Sequence, residues 1–358
     1  MNQPILSILR EGIQPLRIHL IGVAGSGMSG LAGMLMALGH RVSGSDRVST
    51  VETDRLRAQG LSFSSPHGER DVDGVDLVVY SSAIKAGNAA YDAAERLDIP
   101  LARRAEALAA VMANKRGIVV AGTHGKTTTS ALAAHLLRVG GLKPSHYVGA
   151  EIPILGSNAC WDPEGEYLVA EGDESDGTLV CFEPEYSILL NVEEDHLDFY
   201  HSIDEIEAVF SQLLAQTSGV VIYCGEDVGA AKLGATYRGA VSYGWGREHH
   251  YGAEVVRAEA GGSAFRAWRR GDAWGEFFLG IPGRHNVLNA LAALALADLL
   301  GVGRDDLLRG LASFRGARRR FEVKHRGKRL VVVDDYGHHP TEVAATLATA
   351  RGLEPSRV

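Results

Sequence analysis

The chain has 358 residues, 46% hydrophobic and 22% charged, the composition of a soluble globular protein with room for two or three domains. A net charge of −8 argues against non-specific nucleic-acid binding, which needs a basic field, and no apolar run approaches the roughly 18 residues that span a membrane. Cys160, Cys181 and Cys224 are odd in number, widely spaced and outside any zinc pattern, as expected of a reduced, cytoplasmic protein, and Met1 to Leu16 lacks the apolar core of a signal peptide.

The dominant rhythm is a β-branched run, a glycine turn and an apolar helical stretch, the signature of parallel α/β units. Arg17–Val23 reads as a strand, Gly27–Leu38 as a helix, Arg41–Asp46 and Leu77–Ala83 as further strands, and Ala105–Ala113 as a helix leading to a boundary near Asn114. A second series follows, with strand Gly117–Gly122, helix Lys126–Val139 stopped by Gly140 and Gly141, and buried strands at Tyr167–Ala170, Ser187–Val192 and Val220–Cys224. Ala253 to Leu279 alternates about Gly271 and Asp272, which predicts an antiparallel hairpin, and His285–Leu300 is apolar nearly all round, which predicts a buried helix. A third unit starts at Lys328, with strand Leu330–Val333 and helix Pro340–Arg351. One strand and one helix are too few for a doubly wound domain, so its remainder is expected beyond Val358, and a chain ending there is expected to bind its ligands but ligate poorly.

Two glycine loops carry phosphate chemistry. Gly22-Val23-Ala24-Gly25-Ser26-Gly27 joins a strand to a helix, where backbone N–H groups and the helix N-terminus favour a pyrophosphate, and Asp46 ends the next strand, where a dinucleotide fold places its ribose-binding acid. Ala24 stands where the strict fingerprint has glycine, so a ligand-free βα turn and a nicotinamide dehydrogenase both stay open from this loop alone. Gly122-Thr123-His124-Gly125-Lys126-Thr127-Thr128 is a shortened Walker-type loop, with Lys126 set to reach the β- and γ-phosphates and Thr127 to ligate Mg²⁺.

Two acidic runs, Glu171 to Asp176 and Glu193 to Asp198, follow buried strands, where an α/β sheet binds ligands. Beside a phosphate loop, such carboxylates call for a divalent cation between them and the nucleotide. Asp334-Asp335-Tyr336-Gly337-His338-His339 ends another strand; paired histidines with aspartate suggest zinc, but adjacent histidines on an extended turn point apart, so no transition-metal site is expected there. The arginine cluster from Arg315 to Arg320 lies just before the third unit, where a hinge is expected.

Together, the motifs at 122–128, 171–176, 191–198, 283–290 (Gly-Arg-His-Asn-Val-Leu-Asn-Ala), 319–322 (Arg-Arg-Phe-Glu) and 334–342 resemble the Mur ligase family in kind and order. Gly-Met-Ser-Gly at 27–30 and Ser-Gly-Ser-Asp at 43–46 resemble its alanine-adding branch. The resemblance implies a Rossmann-like UDP-sugar domain (1–114), a P-loop-type central ATPase with a small antiparallel element (115–322) and the start of a Rossmann-like amino-acid domain (323–358). It implies ATP with Mg²⁺, or Mn²⁺ as substitute, and UDP-N-acetylmuramate and L-alanine as partners in the cytoplasm, and it allows a homodimer.

By the same resemblance, Gly22, Ala24, Gly25, Ser26, Gly27, Met28, Ser45, Asp46 and Ser82 hold the UDP-sugar. Gly122 to Thr128, Asn286, Arg320 and Asp335 hold ATP, Asn286 by its adenine and Arg320 by its terminal phosphate. Thr127, Glu171 and His196 bind metal, Tyr336 and His338 meet the amino acid, and Lys126, Glu171, His196, Arg320 and His338 carry the catalysis. Sister ligases with a carbamylated lysine place it shortly after the His-Leu-Asp stretch; Phe199 to Gln216 contains no lysine. Within the family, a ligase recycling a murein tripeptide is the alternative, and outside it a nucleotide-binding protein without ligase activity.

Overall fold

The protein is described by a computed structural model covering residues 3–11, 14–259, 261–327 and 330–358. The first unit is a five-stranded parallel sheet in the order Ser62–Ser64, Arg41–Ser45, Arg17–Ile21, Leu77–Tyr80, Leu101–Arg103. The chain order reverses between Arg17–Ile21 and Leu77–Tyr80, so the first glycine loop leaves its strand at the switch point, where such sheets open a ligand crevice. Gly22 turns that corner at φ +89°, a conformation that favours glycine.

The central unit is a ten-stranded sheet. Seven neighbouring strands, from Tyr251–Glu259 across Arg116–Ala121 to Ser145–Tyr147, run parallel. Arg116–Ala121 sits between Tyr186–Leu189 and Tyr167–Glu171, so the second glycine loop emerges flanked by both acidic strand ends. Arg284–Leu299 is buried against Lys126–Val139, as its all-round apolar sequence predicts.

Two expectations change. The region after Ala253 is three antiparallel strands, Tyr251–Glu259, Gly262–Arg269 and Asp272–Leu279, rather than one hairpin; Arg270 and Gly271, both at positive φ, make the second turn. The third unit carries an extra strand: Glu322–Arg326 pairs antiparallel with Val331–Asp334 ahead of helix Pro340–Gly352. Lys328, the expected start of that unit, lies outside the described residues. Among the described residues, no helix is long and apolar enough to cross a membrane.

His19 is buried in the first sheet, its ring nitrogens each 2.9 Å from the hydroxyls of Ser43 and Ser45. Burial pulls its pKa down to about 4, against Asp71 and with help from His67. The folded state therefore holds His19 neutral while the unfolded chain binds a proton near pH 6.5. The sign follows: its contribution is intact above pH 6.5 and is lost as pH falls towards 4. Between pH 7 and 4.5 the stability advantage of the native chain over His19→Gln should shrink by about 2.5 kcal/mol, read from urea midpoints at the two pH values. A constant difference would remove His19 from the acid response.

Candidate active site

The second glycine loop is held on one side by the strand end beyond Leu189. Asn191 accepts the His124 N–H through its side-chain oxygen (2.7 Å) and donates to the His124 carbonyl (3.1 Å). The Glu193 N–H reaches the Thr123 hydroxyl at 2.9 Å. Gly125, at φ +82°, is the N-cap of Lys126–Val139, and an added Cβ there would lie 2.7 Å from Asn289 Oδ1. The loop is thus fixed before any ligand arrives, with the first-turn N–H groups of a helix at its tip.

The Lys126 ammonium donates to the carbonyls of Gly122 (2.6 Å) and Thr123 (3.0 Å) and to Glu174 Oε1 (2.9 Å). Glu174 is only 2% exposed, and its Oε2 is buried with no partner. His196, at φ +52°, brings Nε2 to 3.5 Å from Glu174 Oε1, and that hydrogen bond, opposed by burial and helped by Asp195, raises its pKa. On the other flank Thr127 donates its hydroxyl to Glu171 Oε1 at 2.9 Å, and the Gly149 N–H binds Glu171 Oε2 at 2.7 Å. A hydroxyl and a carboxylate beside an orphaned carboxylate oxygen are oxygen donors that suit Mg²⁺ shared with phosphates, with the His196 imidazole on the opposite flank.

The third unit docks on this loop. Glu342 Oε1 lies 3.6 Å from His124 Nδ1 and 3.4 Å from Arg320 Nη1, while the His338 N–H donates to Glu342 Oε2 at 3.2 Å. Burial would push the Glu342 carboxyl up, but His124, the His338 N–H and Arg320 hold it at about 2. Burial likewise opposes His124, yet Glu342 and Glu193 raise its pKa overall. Asp335 spends both carboxylate oxygens on backbone N–H groups, of Phe321 (2.8 Å) and Gly337 (2.7 Å), so it shapes the turn; Arg319 stacks on the Tyr336 ring at 4.5 Å.

One cleft gathers Lys126, Glu171, His196, Arg320, Tyr336 and His338. An adjoining cavity joins Thr128, Asn286, Arg320 and Asp335 to the loop; Asn286 lines it with its amide donating to the Pro282 carbonyl at 2.7 Å.

The first loop faces the same region from the other side. The Ala24 N–H donates to Asp46 Oδ2 at 2.9 Å, so Asp46 braces the loop, and Ser82 is exposed on the turn after Leu77–Tyr80. Gly27 lies under Arg104 and Tyr147, where an added Cβ would meet Arg104 Nη1 at 2.7 Å. The Met28 side chain is buried in the core, and the Ser45 hydroxyl lies 2.9 Å from both His19 and His67.

Sequence reasoning missed Arg104, which opens helix Arg104–Met112 and reaches Tyr147 (3.1 Å) and Asp173 (2.9 Å) in the cleft. No local motif marks it. Glu174 and Glu342 were inside the quoted motifs, and the signal that could have singled them out was a carboxylate in a run that must also hold a lysine or arginine.

Residues 17–116 match the Mur ligase family catalytic domain, 120–297 the Mur ligase middle domain and 319–358 the Mur ligase glutamate ligase domain. The chain is 43% identical over 349 residues to a UDP-N-acetylmuramate–L-alanine ligase of Acidithiobacillus ferrooxidans, covering 95% of this chain and 75% of that relative. It is similar in structure to the UDP-N-acetylmuramate–alanine ligase of Thermotoga maritima (TM-score 0.84, 31% identity, 94% of this chain and 78% of that one). It also resembles a UDP-N-acetylmuramate:L-alanyl-γ-D-glutamyl-meso-diaminopimelate ligase from Neisseria (TM-score 0.77, 27% identity, 86% of this chain and 100% of that one).

Proposed function

The chain belongs to the Mur ligase family, and from that premise we propose that it joins L-alanine to the lactyl carboxylate of UDP-N-acetylmuramate, driven by ATP, in cytoplasmic peptidoglycan precursor synthesis. The observation that carries this reading is the single cleft in which the phosphate-loop lysine, two strand-end metal donors and Arg320 meet. In this reading residues 1–114 bind the UDP-sugar, 115–322 bind ATP, and 323–358 approach the amino acid.

The substrate carboxylate attacks the γ-phosphorus, the bond to ADP breaks, and an acyl phosphate forms. The alanine amine then attacks its carbonyl and phosphate leaves. Charge spreads over the equatorial phosphoryl oxygens in the first step, so catalysis is positioning plus charge neutralisation. Lys126 and Arg320 supply fixed cations, and the N-terminus of Lys126–Val139 supplies backbone donors. Tyr336 and His338 border the cleft where the amine would enter. Thr127, Glu171 and His196 would hold Mg²⁺, or Mn²⁺ in its place, which neutralises phosphate charge when bound.

The test is amide formation with ATP and UDP-N-acetylmuramate, comparing L-alanine with the murein tripeptide. Preference for the tripeptide would transfer the assignment to the recycling branch; absence of any ATP turnover that depends on UDP-N-acetylmuramate would remove the ligase reading. For the first loop, calorimetry should show uridine ligands binding at least about tenfold more tightly than NAD, a difference of about 1.4 kcal/mol. Tight NAD binding with no response to UDP-N-acetylmuramate would return it to the dehydrogenase alternative.

A further inference from the structure

The phosphate loop, the strand end after Tyr186–Leu189 and the cap of the last helix converge on three side chains that the proposed reaction does not use as metal donors. His124 Nε2 lies 3.3 Å from Glu193 Oε2, and His339 Nδ1 lies 3.6 Å from the same oxygen. The donor atoms of all three residues fall within 4.8 Å of one another, and the two rings sit 4.4 Å apart. A tetrahedral ion with ligands at about 2.0–2.1 Å has donor–donor edges of about 3.3 Å. The two histidine–glutamate separations are near that edge length, and the two imidazole donors lie within 4.8 Å of each other.

The far side of each imidazole is arranged as a metal ligand requires. A ligating histidine rests its other N–H on a carboxylate or carbonyl, which fixes the tautomer and the ring. His124 Nδ1 faces Glu342 Oε1 at 3.6 Å, and His339 Nε2 faces the Glu194 carbonyl at 3.3 Å. The Thr341 N–H caps on His339 Nδ1 (3.3 Å), which places the lone pair on that nitrogen, and a bound ion would take the place of this long capping bond. The Thr341 hydroxyl donates to Glu193 Oε2 at 2.7 Å and orients the carboxylate. The adjacent histidines point apart, as the sequence suggests: His338 turns to Glu342 while His339 joins a partner far away in the chain.

We propose that His124, Glu193 and His339 form a two-imidazole, one-carboxylate site for a transition-metal ion, best suited to Zn²⁺, separate from the Mg²⁺ donors Thr127, Glu171 and His196. Two nitrogens in a set of three disfavour Mg²⁺, which takes oxygen. The fourth position is left to water. The bound ion ties the last helix to the phosphate loop. His124 and Glu193 also line the cavity that holds Asn286 and Asp335, so the ion acts as a brake on nucleotide entry.

The experiment titrates the metal-stripped full chain with Co²⁺ and then Zn²⁺. One equivalent of Co²⁺ should give the intense visible absorption of a four-coordinate site, displaced by Zn²⁺, and Zn²⁺ should raise Tm. His339→Asn keeps a helix-capping side chain and removes the imidazole. It should weaken Zn²⁺ by at least about tenfold and abolish the Tm rise. Glu193→Gln should do the same. His338→Ala and His196→Ala should bind Zn²⁺ as the native chain does. Unchanged Zn²⁺ affinity in both His339→Asn and Glu193→Gln, loss of binding in His196→Ala, or a weak six-coordinate Co²⁺ spectrum would each overturn the proposal.

Discussion

Lys126→Ala is expected to lower turnover by at least about 10²-fold and to weaken ATP binding, since a preorganised cation aimed at developing phosphate charge contributes on that scale. The ammonium is already held by the Gly122 and Thr123 carbonyls, so it needs little reorganisation to meet a phosphate. The same substitution has a structural cost. It strips the lysine from Glu174, whose side chain is 3% exposed, leaving it only the longer His196 contact at 3.5 Å, and breaking a buried ion pair costs several kcal/mol. Loss of activity could then be mistaken for loss of fold. The double variant Lys126→Ala, Glu174→Gln separates the two: it should recover Tm relative to Lys126→Ala and stay inactive. If the double variant regains turnover along with stability, Lys126 serves the fold and not the chemistry.

The parts of this site that were legible in the sequence are those made within one stretch of chain. The helix Lys126–Val139 was bounded correctly because Gly125 forces the left-handed turn at its start and Gly140 and Gly141 end it. Val220–Cys224 was read correctly because a strand buried on both faces is a continuous apolar run. A short element with mixed faces, such as Val51–Ala58, has too little periodicity to stand out from loops. Glu322–Arg326 was missed for another reason: Glu-Val-Lys-His-Arg is polar and largely exposed, and only pairing with Val331–Asp334 makes it a strand.

Most individual contacts across the chain were not legible. Nothing near Arg104 says that it will meet Asp173, and nothing near Glu342 says that it will sit between His124 and Arg320. The left-handed residues His196, Arg319 and Phe321 are likewise products of assembly. Non-glycine residues adopt that conformation at a cost, sustained here by the contacts that surround them. His196 is held by its Glu174 contact, and the Phe321 N–H by Asp335.

Glu171→Gln should leave nucleotide binding measurable while lowering kcat by about 10²–10³-fold, the scale on which a lost electrostatic contact in a phosphoryl-transfer site acts. The substitution is nearly isosteric. An amide oxygen can still accept from Thr127 or from the Gly149 N–H, now made at 2.9 and 2.7 Å, so the strand end and the loop should keep their places. What the amide lacks is the negative charge that binds a hard divalent cation. The effect should therefore appear as a higher Mg²⁺ concentration for half-maximal rate together with the fall in kcat, with Tm nearly unchanged in the absence of ligands. The alternative is that Glu171 only braces the loop through Thr127 and Gly149. In that case Glu171→Gln would keep its Mg²⁺ dependence and its rate, while Glu171→Ala would lose both hydrogen bonds and some stability. The two substitutions thus distinguish a carboxylate that holds a cation from one that holds the fold, and the charge argument requires glutamine to be nearly as damaging as alanine to turnover.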